Sequence, residues 1–161
     1  GDVVEEHVAG VKVAREYWAT NVVDNCDIVI ANSFSKADEM LLAIPTAASL
    51  LKTSGGDMVL LTITPEGQIN HYWSRSFGKN LGGRSFRPKT ELPANTKRLT
   101  VMQPYPDFVG LDWVAPYDQV TLTRAWPETL EMLKKTYGAK AKVAVLPDAS
   151  VQYFPALVPS C

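Results

Sequence analysis

Asp27-Ile-Val-Ile-Ala-Asn32 and Met58-Val-Leu-Leu-Thr-Ile63 are two short apolar runs separated by a helix-length segment. Neither run alternates strictly between apolar and polar residues, which is typical of strands covered on both faces. Two such strands joined by a helix form a parallel βαβ unit. The stretch therefore predicts an α/β fold, a three-layer arrangement in which helices cover both faces of a mainly parallel sheet.

A polar loop follows each run, 33–39 after the first and 64–68 after the second. Parallel strands end at the same edge of a sheet, and open α/β sheets bind ligands in the crevice beyond that edge. We therefore expect the two loops to lie side by side as the walls of any site. Asn32, Lys36 and Glu66 are expected to border one concave surface.

The first of these loops has two interpretations. Ser35 is predicted to cap a helix that begins near Lys36, and Asp38, three residues later, would complete a capping box. A capped helix start with a nearby cation attracts anions, so Ser33, Ser35 and Lys36 could hold a small carboxylate or phosphate. In the other interpretation Ser35 only caps the helix and the Lys36 ammonium is solvated.

The remaining sequence predicts further strands at 99–102, 120–122 and 142–146. An amphipathic helix is expected over 3–19, and Pro127 and Gly138 mark the start and end of another. Thr64-Pro-Glu66 resembles a helix start, so residues 65–76 are predicted to be helical. The Gly-, Lys- and Pro-rich segment 78–95 is predicted to be a long loop, where a lid or partner surface would be sought.

Composition limits the partners and sites. With 161 residues, 46% of them hydrophobic, the chain can fill one core, so 1–161 is interpreted as a single domain. A net charge of −1 with scattered cations argues against nucleic acid, and no apolar run approaches the roughly 20 residues that cross a membrane. Two cysteines and two histidines are too few for a closed metal site. We expect a cytoplasmic protein, and its start at Gly1-Asp2 in place of Met suggests an excised piece or a tag remnant followed by native sequence.

One resemblance concerns residues 50–60. Leu50-Leu-Lys-Thr-Ser-Gly-Gly-Asp-Met-Val-Leu60, after the run from Asp27, resembles the late strand region of S-adenosylmethionine-dependent methyltransferases. The glycine-rich loop after an early strand, and the acid that ends the next strand, are absent. This resemblance implies a degenerate methyltransferase-like domain without a cofactor site.

A second resemblance covers residues 2 to about 85. Its motifs are Glu6-His-Val-Ala-Gly-Val-Lys-Val-Ala14, Asp27-Ile-Val-Ile-Ala-Asn-Ser-Phe-Ser-Lys-Ala-Asp-Glu39, Gly55-Gly56, Pro65-Glu-Gly67, Ser76-Phe-Gly78 and Gly82-Gly-Arg84. In order and spacing they resemble the C-terminal domain of the nickel-dependent lactate racemase family. The resemblance implies a racemase of 2-hydroxy acids, in which a nickel pincer nucleotide takes a hydride from C2 and returns it to either face.

In that family the tethering lysine, the nickel-binding histidine and the acid/base histidines lie on the N-terminal domain. The resemblance therefore implies that this chain closes the active cleft of an isomerase and is not catalytic alone. Its partners would be that N-terminal domain and a small 2-hydroxy acid, with no metal or cofactor bound to the fragment itself. The cleft candidates are Asn32, Ser33, Lys36, Glu39, Glu66, Gly67, His71 and Arg84.

Two departures from the family pattern argue against lactate itself as the substrate. The family reads Tyr-Pro where this chain has Phe34-Ser35, and its polar substrate contacts fall where this chain reads Met40-Leu-Leu-Ala-Ile44. An independent α/β ligand-binding module and a structural domain that mediates subunit contact are the other interpretations, beside the methyltransferase-like one.

Overall fold

A computed structural model of the chain describes residues 1–68 and 91–157, and a five-stranded sheet forms its centre. The strands are β1 (Ile28–Asn32), β2 (Gly56–Leu61), β3 (Thr96–Met102), β4 (Val120–Thr123) and β5 (Val143–Leu146). They lie in the order β4-β3-β2-β1-β5, and every neighbouring pair is parallel. The predicted α/β class is confirmed.

β1 occupies the position from which the site is built. It pairs with β2 on one side, Ile28 opposite Asp57, and with β5 on the other, Ile28 opposite Val143. The prediction that the two apolar runs are parallel within one sheet is confirmed, and they are direct neighbours. The loop after β1 therefore leaves the sheet between the loops that follow β2 and β5.

The helices lie around this sheet. They are α1 (Val3–Tyr17), α2 (Ala43–Ala48), α3 (Phe108–Val114) and α4 (Trp126–Tyr137), with 3-10 segments at Phe34–Leu42, Tyr117–Gln119 and Pro155–Leu157. α4 forms where the sequence predicts it. Its first turn holds Pro127, and Gly138 ends it with φ +63°, a conformation that favours glycine.

Each face of the sheet carries its own apolar cluster, because successive strand residues point to opposite faces. The larger cluster joins strand residues to α2 and α3, and includes Val29, Ala31, Met58, Leu60, Ala43, Ala47, Leu111 and Val114. On the other face Ile28, Ile30 and Val59 pack with Leu133 of α4. Helices on both faces thus complete the predicted three layers.

The segment between β1 and α2 corrects one prediction. No α-helix begins near Lys36: the chain forms the 3-10 segment, within which Lys36 and Glu39 have non-helical backbone. Ser35 caps no helix, because no α-helix directly follows it. Its N–H and hydroxyl both donate to the Asp148 carboxylate that follows β5, so its partner is distant in sequence. α2 then starts at Ala43, with Pro45 in its first turn.

The predicted helix over 65–76 is wrong in its first four residues. Residues 65–68 form a turn, in which Gly67 has φ +82° and its N–H donates to the Thr64 carbonyl at 3.1 Å. Residues 69–76 and most of the predicted loop 78–95 lie outside the described residues, while 91–95 are irregular, as expected of that loop.

α1 forms as predicted, but none of its fifteen residues is buried. It joins the domain through the strand-like bridge between Ala19 and Tyr153, where the Tyr153 N–H donates to the Trp18 carbonyl at 2.9 Å. The Arg15 guanidinium lies 5.8 Å from the centre of the Tyr153 ring. Across 1–68 and 91–157, no helix combines the length and apolar character needed to cross a membrane.

Candidate functional site

The loops after β1 and β2 are joined at the carboxyl edge of the sheet. Both the N–H and the hydroxyl of Ser33 donate to the Leu61 carbonyl at 3.0 Å. The Thr62 hydroxyl donates to the Ala37 carbonyl at 2.7 Å. The two loops therefore lie side by side, as parallel strands predict.

A buried amide strengthens this junction. The Gln68 side chain accepts from the Met40 N–H at 3.1 Å and donates to the Ala37 carbonyl at 2.8 Å. It therefore satisfies both a donor and an acceptor of the 3-10 segment, whose irregular backbone leaves such groups without helical partners. Gln68 is 4% exposed and Met40 is fully buried, so loss of the Gln68 side chain would leave the Met40 N–H without an acceptor and away from water.

The loop after β3 enters the same network through Asp107. Its carboxylate accepts from the Gln68 N–H at 2.8 Å and, as the cap of α3, from the Gly110 N–H at 2.9 Å. The Asp107 N–H in turn donates to the side chain of Gln103, a fully buried residue directly after β3, at 3.2 Å. Three successive strand ends are thus fixed relative to one another.

The loop after β5 closes the other side. The Asp148 carboxylate accepts from the N–H of Ser35 at 3.1 Å, from the Ser35 hydroxyl, and from the Ser150 hydroxyl at 2.6 Å. Burial alone would raise the pKa of the Asp148 carboxyl, but the hydrogen bonds from Ser150 and Ser35 outweigh it and hold the pKa below its ordinary value. Asp148 is therefore a carboxylate at neutral pH.

Four of the predicted cleft residues lie on these loops. Three are charged, and the fourth is a glycine with positive φ. Lys36 and Glu39 form an ion pair at 3.2 Å, in which the Lys36 side chain is 51% exposed and that of Glu39 20%. Glu66 is exposed on the neighbouring turn. Beside it, a Cβ on Gly67 would lie 2.8 Å from Asp107 Oδ2, so glycine lets the turn approach α3 closely.

The other four divide into structural residues and residues that the structure does not place. Ser33 is fully buried, and its hydroxyl donates to the Leu61 carbonyl. Its role is therefore structural, and it is not available to a ligand. Asn32 ends β1, and its carbonyl accepts from the Ala149 N–H at 2.7 Å. His71 and Arg84 lie outside the described residues.

The sequence pattern assigns no role to the polar residues that hold the edge together. Gln68 falls inside the predicted wall 64–68, whereas Gln103, Asp107 and Asp148 lie outside both predicted walls. Two of them carry a recognisable signal, because Gln103 is the first residue after β3 and Asp148 the second after β5. Polar residues at the ends of buried parallel strands point to the ligand edge.

Chemically, the described part of the edge can bind and orient a small polar molecule. Lys36 offers a cation partly neutralised by Glu39, and Glu66 offers an exposed carboxylate. Within 1–68 and 91–157, no three His, Cys, Asp or Glu side chains are grouped as a metal site would require. The described residues therefore do not fit a nickel centre.

A cavity of about 520 Å³ opens at the amino ends of β3 and β4. Its lining includes Lys97, Arg98 and Asp118, but the Arg98 guanidinium is already paired with the buried Asp57 carboxylate. Ligands of open parallel sheets bind beyond the carboxyl ends of the strands, at the opposite edge. We therefore assign the candidate site to the carboxyl edge and not to this cavity.

Comparisons with known proteins reveal a likeness of fold. No protein-family model and no curated protein matches the chain. Among solved structures it is similar to the lactate racemase apoprotein from Thermoanaerobacterium thermosaccharolyticum, with a TM-score of 0.63 and 14% sequence identity. The match covers 92% of this chain and 40% of that one. The chain thus shares its fold with less than half of a lactate racemase polypeptide.

Proposed function

We propose that this chain is the C-terminal domain of a lactate racemase-like protein, and that its carboxyl edge closes the active cleft of a cytoplasmic 2-hydroxy acid racemase. The likeness of nearly the whole chain to 40% of the lactate racemase apoprotein carries this proposal. The motifs between Glu6 and Arg84 that resemble the C-terminal domain of that family support it. The catalytic residues belong to an N-terminal domain of the parent protein.

The task of this wall is to bind and orient the substrate. The half-exposed Lys36 ammonium attracts the substrate carboxylate, and Glu39 keeps that cation in place between turnovers. Glu66, on the adjoining loop, accepts a hydrogen bond from the 2-hydroxyl group. Because Gln68 and Asp107 already hold the two loops, little reorganisation is needed when the substrate binds.

In the family that this sequence resembles, a nickel pincer nucleotide supplies the hydride chemistry. The described residues form no ligand set for its metal, so we assign the tether, the nickel ligand and the acid/base pair to the N-terminal domain. This division of roles makes the parent protein an isomerase and this chain a necessary but non-catalytic part of it.

The experiment compares the 161-residue chain with the longer protein encoded by its full reading frame. Each is incubated with the nickel pincer nucleotide and a panel of 2-hydroxy acids, and chirality is followed. We expect turnover by the longer protein only, and a higher KM in its Lys36→Ala variant, with Lys12→Ala on the exposed α1 as the matched control.

Turnover by the 161-residue chain alone would contradict the proposed division of roles. A longer protein that racemises no 2-hydroxy acid would contradict the activity itself. If the chain alone then bound a carboxylate with a dissociation constant below about 1 mM, which corresponds to about −4.1 kcal/mol, an independent α/β ligand-binding module would explain the edge better.

A further inference from the structure

Large apolar side chains stand exposed at the same edge as the charged residues. Phe34, directly beyond the loop residue Ser33, is 76% exposed, and Ile63, after β2, is 64% exposed. Tyr105, Phe108 and Val109, after β3, are each more than half exposed. We name these five residues, Phe34, Ile63, Tyr105, Phe108 and Val109, the apolar crest.

The crest residues follow three neighbouring strands at one edge of the sheet. β1, β2 and β3 are neighbours in the sheet, so their carboxyl ends are spaced about 4.8 Å apart. Ser33, next to Phe34, bonds to the Leu61 carbonyl, and Thr62, next to Ile63, donates its N–H to the Met102 carbonyl at 3.1 Å. Each loop is therefore held against the next beside a crest residue.

The exposure of the crest is not a sign of loose packing. Beneath it Gln68 and Gln103 are buried and hydrogen-bonded, and Asp107, which adjoins Phe108, accepts two backbone N–H groups. The loops are fixed while their apolar side chains face outward. Contiguous exposed apolar patches on soluble proteins mark contact surfaces, and typical interfaces surround such a patch with polar groups. Lys36 and Glu66 provide polar groups on the same loops.

We infer that the apolar crest is the surface on which the second domain of the longer protein docks when the cleft closes, an inference that rests on the proposed function. The lactate racemase apoprotein chain of similar fold extends well beyond the matched 40%. That leaves room in such a protein for a further domain. Because the crest shares its edge with Lys36 and Glu66, a domain docked there would cover a ligand bound to them.

The contact is hydrophobic in this arrangement. Phe34 and Ile63 carry no charge, so burying them excludes water and their attraction is little affected by salt. Docking through Lys36 or Glu66 would instead weaken as salt screens their charges. Docking that persists at high salt therefore indicates contact through the apolar crest, whereas docking that salt weakens indicates contact through Lys36 and Glu66.

Hydrogen exchange tests the inference in the longer protein and in the 161-residue chain. We expect amides of residues 34–36, 62–64, 105 and 107–109 to exchange at least about tenfold more slowly in the longer protein, in low salt and in about 0.5 M NaCl alike. Ile63→Asp and Phe34→Asp should each abolish this protection. Val13→Asp, at a residue of α1 with nearly the same exposure as Ile63, is the matched control and should leave it intact.

Circular dichroism of each variant checks that the fold is kept. Because both altered residues are exposed, loss of protection then reports loss of docking. Equal exchange of the crest in the two proteins would overturn the inference. Protection that appears in the 161-residue chain alone, together with a dimer in sedimentation, would overturn it in favour of a second copy. An active racemase with an unprotected crest would overturn this inference only, whereas an inactive protein with a protected crest would overturn only the proposed activity.

Discussion

Gly56 lets β2 begin in close contact with the chain that leads into β1. A Cβ at this residue would lie 2.6 Å from the Asp27 carbonyl oxygen and 2.8 Å from Cδ2 of Leu51. Since one neighbour is a backbone atom and the other a side chain of the core, we expect Gly56→Ala to lower the free energy of unfolding by about 1–3 kcal/mol. Gly10→Ala is the control, because nothing lies within 4 Å of its added Cβ. Equal urea midpoints for the two variants would contradict this account.

Gln68 offers a second test at the scale of one side chain. Gln68→Met keeps a side chain of similar length but leaves the Met40 N–H and the Ala37 carbonyl without this partner. We expect the free energy of unfolding to fall by about 1–3 kcal/mol, because the buried Met40 N–H loses its acceptor. The Ala37 carbonyl keeps the hydrogen bond from the Thr62 hydroxyl. Glu66→Gln, two residues away and exposed, should change it little. Denaturant titration of both variants measures the difference, and an unchanged Gln68→Met would show that the amide bonds are dispensable.

At the scale of elements, the bond between Ser35 and Asp148 joins the loop after β1 to the loop after β5, and it depends on pH. Because the folded pKa of Asp148 lies below its ordinary value of about 3.9, its stabilising contribution is complete above that pH. It is lost as the pH falls through the lower folded pKa. We expect the melting temperature of Asp148→Asn to fall less than that of the parent chain between about pH 7 and pH 3.

Hydrogen bonds from Lys52 and the Lys142 N–H lower the pKa of the Asp27 carboxyl. Its contribution to the stability of the fold is therefore also lost as the pH falls. Since Asp27 is present in both proteins, the difference between their acid profiles isolates Asp148. Ser35→Ala keeps the carboxylate but removes one donor, and should give an intermediate profile. Identical acid profiles for all three proteins would rule out this role for the loop contact.

What the sequence predicts well at this scale are the elements with strong local signals. Apolar runs located β1 and β2, and Pro127 with Gly138 located α4. The segment after β1 was predicted wrongly because the decisive partner of Ser35 lies 113 residues away. The proximity of the loops after β1 and β2 follows from the parallel strands alone. The contacts of Gln68 cannot be predicted in this way, since they depend on the turn that replaces the predicted helix.

At the scale of the whole molecule, the residues that hold the fold together and the exposed apolar residues lie in different parts of the chain. The two apolar clusters and the network beneath the edge join all five strands through α2, α3 and α4. By contrast, Phe34 and Ile63 of the crest are exposed to solvent, and so are Val4 and Val8 of α1. We therefore expect these exposed surfaces to contribute little to the stability of the sheet and its clusters.

Deleting residues 1–10 tests this division directly. All ten are exposed, and an isolated helix of about 15 residues is only marginally stable in water. We expect the shortened chain to unfold at nearly the same denaturant concentration, with some loss of helical circular dichroism. Phe154→Ala, a core change near the opposite end of the described chain, should cost about 3–5 kcal/mol. If the deletion were as damaging as the core change, α1 would have to pack against the domain in solution, and its apolar residues would count as core.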